Sequence, residues 1–174
     1  MKFISFRGNI DGARPAFENN PQYIDIALQY GYYVFIDVWY EKDQFWLGNK
    51  VKQYPIFEGF LEQENYICNP KTWQTFDKLF GNEHIHTLWN DIYYYTITNR
   101  GWMWAHEHAE NYSENTIITH FDDMQDIPNV AGICSNYIRN IKQTITYKDQ
   151  KPFNWNDARD VLDVVPAWVL NNIE

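Results

Sequence analysis

A guanidinium at Arg7, a carboxylate at Asp37 and an ammonium at Lys71 each stand at or just beyond the end of a short apolar run. That is where a strand hands its last side chains to a loop. Arginine offers a planar fork that matches phosphate, and lysine adds a second positive point charge. The same Arg7 and Asp37 would equally form a structural ion pair, and the residue types leave both readings open. His106 and His108 in the segment HEHAE follow the apolar GWMW. They would point the same way if a strand continued, a pattern suited to a metal ligand pair, although a solvated histidine loop fits the same spacing. His120 with Asp122 and Asp123 follows another apolar run and is a further candidate, while acids there also suit a helix N-terminus. His84 and His86 flank an apolar run and read as structural.

The elements that must position these groups are legible as apolar runs bounded by turn residues, at Phe3–Ser5, Tyr33–Val38, Tyr66–Cys68, Thr87–Trp89, Trp102–Trp104, Thr116–Thr119 and Val130–Cys134. Between several of them lie helical patterns. Pro21–Tyr30 places Tyr23, Ile24, Ala27 and Leu28 on one face, with Gly31 as the stop, and Thr72–Phe80 places Trp73, Phe76, Leu79 and Phe80 on its buried side. Alternation of strand and helix predicts parallel strands with crossover connections, in a barrel or an open doubly wound sheet. In a barrel the residues after each run meet at one mouth, here Phe6, Arg7, Asp37, Asn69, Lys71, Asn90 and His106.

The 174 residues suit one domain but fall short of the roughly 250 usual for an eight-fold barrel, so a barrel here is compact or incomplete. Beyond about Tyr147 a polar turn precedes a helix predicted over Asn156–Val165, interrupted by Pro166, with Val161, Leu162, Val165, Trp168, Val169 and Leu170 apolar. This divides the chain into 1–147 and a C-terminal helical extension, 148–174, which closes one end of the same domain or serves a homo-oligomer interface. An aromatic share of 18% predicts a packed globule. The formal charge of −9 argues against a nucleic-acid polymer as partner. Only Cys68 and Cys134 are present, far apart, which points to a reducing compartment and to no thiol nucleophile. With no apolar stretch long enough for a bilayer, the expectation is a soluble cytoplasmic protein without membrane contact. Dinucleotide-fold, P-loop, zinc-finger and nucleophile-elbow patterns are absent from the sequence.

FRGN at Phe6–Asn9, ENNP at Glu18–Pro21, GYYVFIDVW at Gly31–Trp39 and FWLGNK at Phe45–Lys50 follow one another in an order and spacing that resembles the glycerophosphodiester phosphodiesterase pattern. There a strand ends in His-Arg-Gly, a Glu-Asn segment follows, and Glu-x-Asp and Gly-His-Asp come next. YICNPK at Tyr66–Lys71 and AGICSNY at Ala131–Tyr137 extend the resemblance to about residue 140. The resemblance implies an α/β fold, a compact or incomplete TIM-type (β/α) barrel. In such enzymes two histidines move protons on a phosphodiester and acidic ligands hold a divalent metal. Here Phe6 and Asn49 stand at the histidine positions, Phe35 at the glutamate of Glu-x-Asp, and Lys50 at the acid after the second histidine. Phenylalanine moves no proton, and asparagine is neither acid nor base near neutral pH. Arg7, Glu18, Asn19, Asp37 and Lys71 keep their motif positions, Glu18 and Asn19 as organisers of the first loop.

The resemblance therefore implies a pseudoenzyme, with no catalytic residue, metal or cofactor. Its mouth is enriched in π-surface, from Phe6 and Phe35 with Trp39, Trp89, Tyr93, Tyr94 and Trp104, rings that stack on nucleobases although any single one is ordinarily core. The predicted partner is a small nucleotide-like phosphorylated ligand, a cyclic dinucleotide or a cyclic ADP-ribose-like signal, bound by Phe6, Arg7, Phe35, Asp37, Trp39, Asn49, Asn69, Lys71, Trp89, Asn90, Trp104 and His106. Compact members of this superfamily encoded by viruses extend the analogy to an anti-defence sponge in the host cytoplasm. The alternative is a divergent phosphodiesterase or lyase that uses His106, His108, His120 or Asp37.

Overall fold

The computed structural model describes residues 1–89, 94–122 and 126–149. Expectations for Asn90, Tyr93, Asp123 and the tail from residue 150 fall outside the described residues. In chain order the elements are β1 (Lys2–Phe6), α1 (Pro21–Gln29), β2 (Tyr33–Glu41), β3 (Gln44–Leu47), β4 (Tyr54–Ile56), a 3-10 turn (Glu58–Glu62), β5 (Tyr66–Pro70), α2 (Trp73–Phe80), β6 (Tyr95–Ile97), β7 (Met103–Ala105), β8 (Thr116–Thr119), β9 (Gly132–Ser135) and α3 (Ile138–Asp149). The helix α3 crosses the 147/148 division expected from sequence.

All the strands join one mixed sheet in the order β4-β3-β2-β1-β9-β8-β7-β6, with β5 also paired to β2. β1 is central and runs parallel to both β2 and β9. β2 also runs parallel to β5, and β7, β8 and β9 are parallel in turn. Among the named strands of the described residues, the antiparallel pairs are β2–β3, β3–β4 and β6–β7. The sheet is curled, and isolated bridges link β5 toward the β6 end: Cys68 pairs with Thr87 in parallel and Leu88 with Thr98 in antiparallel sense. The expected strand at Thr87–Trp89 is thus reduced to bridges.

Among the described residues, helices are fewer than strict alternation predicts. They follow β1, β5 and β9, whereas the stretch between Ala105 and Thr116 is too short to hold a helix with both of its loops. The helix that forms after β1 does so for local reasons. The Asn20 side chain accepts from the Gln22 and Tyr23 amides, Pro21 opens the first turn, and Gly31 at φ 76 ends the run.

Period-two alternation splits the strand residues between two cores. Ile4, Phe35, Ile67, Leu88, Trp104, Ile117 and Cys134 pack together on one face, joined by Phe6, Tyr33 and Trp102. Val34, Ile36, Val38, Cys68 and Ile133 belong to the other, where Ile24, Ala27, Leu79, Ile138 and Ile141 of the helices cover them. Helix α2 departs from its expected orientation. Thr75 and Leu79 are its buried residues, and Trp73 and Phe80 are 59% and 58% exposed. Thr75 accepts a 2.8 Å hydrogen bond at Oγ1 from the Tyr40 amide of β2, which aims the Thr75–Leu79 line inward and turns Trp73 and Phe80 aside.

His86 is fully buried, its ring 4.4 Å from and edge-on to Trp102, and neither ring nitrogen has a hydrogen-bond partner. Burial first, with the nearby positive Arg100 second, lowers its pKa to about 4. The unfolded chain takes up this proton near the ordinary histidine value of ~6.5, before the folded chain does, so stability falls as pH drops through the interval down to about 4. His106, lowered to about 4 by burial, adds to the same slope. A His86→Phe variant retains the edge-on packing and should lose part of this acid sensitivity, seen as a smaller fall in the urea midpoint between pH 7 and pH 4.5.

Candidate functional site

The turn after β1 builds the site. Arg7 adopts φ 59 and Gly8 φ 94, so the chain reverses within two residues. A Cβ on Gly8 would lie 2.7 Å from the Tyr23 ring, so packing as well as conformation requires glycine there. The Arg7 amide donates to the Phe35 carbonyl, which holds the end of β1 against β2. Asn19, at φ 61, donates its amide to the Arg7 carbonyl and brings the first loop back over the strand ends.

These turns converge on Asp37, whose side chain is wholly buried. Its Oδ2 accepts from Arg7 Nε at 2.5 Å and from Asn19 Nδ2 at 3.1 Å. Oδ1 accepts from Asn69 Nδ2 at 2.7 Å, and Lys71 Nζ stands 3.6 Å away. Asn19 also accepts from the Asp37 amide at 2.8 Å. A buried carboxylate survives only with such compensation. Arg7 is engaged twice, because Nη1 donates to Glu18 Oε2 at 3.1 Å. Glu18 in turn accepts from Asn9, and Asn9 donates to Asn136 beyond β9 at 2.8 Å. Glu18 and Asn19 do organise the first loop, and the Arg7–Asp37 ion pair exists.

Asn9 and Asn136 were not among the residues expected at the site, although both lie inside the quoted motifs FRGN and AGICSNY. A buried asparagine bonded to a buried glutamate has no periodic signature in sequence. Phe121 was missed for a similar reason, hidden between the polar His120 and Asp122.

Beside the polar network lies a layer of rings. Phe6 stacks on Phe35 at 5.4 Å and meets Phe121 at 4.5 Å, and the Arg7 guanidinium lies 4.3 Å above the Phe6 ring. Phe35 packs on Trp104 at 5.5 Å. Phe35 and Trp104 are buried in the sheet-face core, with Trp104 Nε1 donating to Thr119. Trp39 is half-buried and spends its indole N–H on the Gly48 carbonyl. Gly48 donates its amide to the Asp37 carbonyl, so Asn49, half-buried, lies just past the end of β3 beside the middle of β2, and Lys50 is exposed. Tyr94 is exposed.

Trp89 belongs to a separate chain of rings: Trp73 meets it edge-on at 5.7 Å, Phe76 meets both, and Phe80 continues the row. His106 lies with His108, His120, Glu107 and Asp122 around a cleft of about 340 Å³. The Nε2 atom of His106 is buried and unpartnered, and His108 stands 3.9 Å from Glu107. Among the described residues, no three His, Cys, Asp or Glu side chains converge as a metal site. Both cysteines are buried, and burial pushes their thiols far above the ordinary range, which makes them poor nucleophiles.

No family model, curated protein or solved structure matches the chain. The glycerophosphodiester phosphodiesterase resemblance therefore rests on the motif residues themselves. Their geometry divides into a rigid clamp of Asp37, Arg7, Glu18, Asn19 and Asn69, and a less committed cation, Lys71, on its rim. Removing the carboxylate leaves Arg7 without its closest partner and Asn69 without its acceptor. Asp37→Ala should cost about 3–5 kcal/mol of stability, measured by urea denaturation, whereas Lys50→Ala on the exposed surface should stay within about 0.5 kcal/mol.

Proposed function

We propose that this chain is a non-catalytic binding protein, a pseudoenzyme on a compact barrel of the phosphodiesterase type, that holds a small nucleotide-type phosphodiester or pyrophosphate intact. The bridges that link β5 toward β6 support the barrel reading, and the parallel pairs about β1 support the placing of a mouth at their C-terminal ends. One observation carries the functional reading: a proton-moving position and an acidic metal-ligand position of this pattern hold Phe6 and Phe35, stacked at 5.4 Å. Rings so packed offer neither an acid nor a base beside a phosphodiester.

Lys71 is the cation best suited to the ligand. Asp37 already accepts from Arg7, Asn19 and Asn69, and the Lys71 ammonium, at 3.6 Å, lies beyond ordinary hydrogen-bond reach of it. A quarter of its side chain is exposed, against 15% for Arg7, which is held by two carboxylates. Lys71 can therefore swing to a phosphate without leaving Asp37 unsatisfied. Arg7 acts mainly by keeping the mouth in shape. Binding without cleavage makes the protein a sponge for a signal, in the cytoplasm and, by analogy with compact viral members of the superfamily, against a host defence.

A second reading is favoured by the cleft where His106, His108 and His120 meet two carboxylates. It makes the chain a divergent phosphodiesterase with relocated acid–base groups. The two separate cleanly. Calorimetry with cyclic di-AMP, ADP-ribose and glycerophosphocholine should show binding of at least one, weakened about tenfold in Lys71→Ala, consistent with losing one charged hydrogen bond. Mass spectrometry of the same mixtures, with and without divalent metal, should return every probe unchanged. Turnover lost in His120→Ala would establish the enzyme instead.

A further inference from the structure

The aromatic row on α2 serves no evident packing purpose for its outermost member. Trp73 is 59% exposed, in the first turn of the helix, while the buried residues of that helix are Thr75 and Leu79. Its ring is nevertheless fixed, edge-on to Trp89 at 5.7 Å and tilted against Phe76 at 5.5 Å. Contacts of this kind hold the ring while much of it stays open to solvent, which is how a stacking platform is built.

The position of the row is set by the sheet. Lys71 lies two residues before Trp73, immediately after β5, and its amide donates to the Val38 carbonyl of β2. The parallel bridge of Cys68 to Thr87 carries Trp89 to the level of Pro70, the last residue of β5. Trp73 and Trp89 therefore flank the exit of β5, next to Lys71, whose ion pair with Asp37 is long at 3.6 Å. Phe6, Phe35 and Trp104, by contrast, are packed mainly on one another.

We infer that Trp73, braced by Trp89 and Phe76, is the stacking subsite for a planar heteroaromatic ring whose attached phosphate reaches Lys71, so that the ligand is a nucleotide rather than a sugar phosphate or a glycerophosphodiester. This rests on the phosphate-binding reading and sharpens it. The ligand lies across the β5–α2 rim. An aromatic face accepts any base, so selectivity among bases is weak, and discrimination is between ligands with and without a ring.

Fluorescence titration and calorimetry with AMP and with ribose 5-phosphate decide it. AMP should bind more tightly than ribose 5-phosphate and quench tryptophan emission. Trp73→Ala should weaken AMP about tenfold or more and leave ribose 5-phosphate unchanged, and Trp73→Phe should restore most of the loss. Because Trp73 is exposed, the variant's thermal transition should match that of the parent. If both probes bind and Trp73→Ala affects neither, or if AMP binds no better than ribose 5-phosphate, the subsite is wrong and the phosphate reading survives. If neither probe binds the parent protein, nor cyclic di-AMP, ADP-ribose or glycerophosphocholine, both fall. Sedimentation velocity that shows a dimer abolished by Trp73→Ala, with no response to AMP, would make the row a self-association surface and overturn the inference.

Discussion

The structure depends on keeping one carboxylate out of water. Asp37 sits in the middle strand of the parallel trio β1–β2–β5, in the same strand as the core residues Phe35 and Val38, and its charge is tolerable only because four polar contacts from four other residues surround the carboxylate. Those residues come from the turn after β1, the loop before α1 and the end of β5. Satisfying Asp37 thus dictates where three connections go, and with them the shape of the mouth. The left-handed backbone of Arg7 and Asn19 is accepted because it delivers two of the four partners. Glu18 extends the same logic outward, binding Arg7 and Asn9 and through Asn9 the end of β9.

Next to this network the rings impose a different constraint. Phe6, Phe35, Phe121 and Trp104 form a continuous apolar layer at the level where the polar clamp ends. A phosphodiester entering there would meet hydrocarbon in place of groups able to exchange protons or hold a metal. The polar and aromatic layers together describe a mouth rigid on its floor, with its adaptable groups, Lys71 and the row around Trp73, on the rim.

How far this was legible beforehand can be argued from individual residues. Strands with strong period-two or continuous apolar patterns, such as Tyr33–Val38 and Thr116–Thr119, were readable because their burial follows from side-chain type, although the first runs on past its apolar run to Glu41. The hairpins were not, since β3 and β6 pair through backbone and short, mixed sequences. Arg7, Asp37, Asn69 and Lys71 were found together because each stands at or just beyond the end of an apolar run, although Asp37 lies inside β2, which continues to Glu41. The face of α2 was misjudged because aromatic residues outweigh a threonine in any apolar pattern, although the hydrogen bond from Tyr40 to Thr75 decided the matter. Asn9 and Asn136 escaped because their value lies in a contact that spans 127 positions, which composition cannot encode.

That same long-range contact governs the order in which the protein can be made. β1 takes its register from both β2 and β9, and the first loop is tied to the chain beyond β9 by Asn9 to Asn136, Gly12 to the Asn136 carbonyl and Arg139 to Asp11. During synthesis β1 emerges before β9, so until β9 follows one edge of β1 is open and the Asn9–Glu18 corner lacks its last hydrogen bond. The mouth around β1 is therefore completed only after β9 and Asn136 have been made, a topology rich in long-range contacts that favours slow closure and leaves β1 in need of protection until Asn136 has left the ribosome.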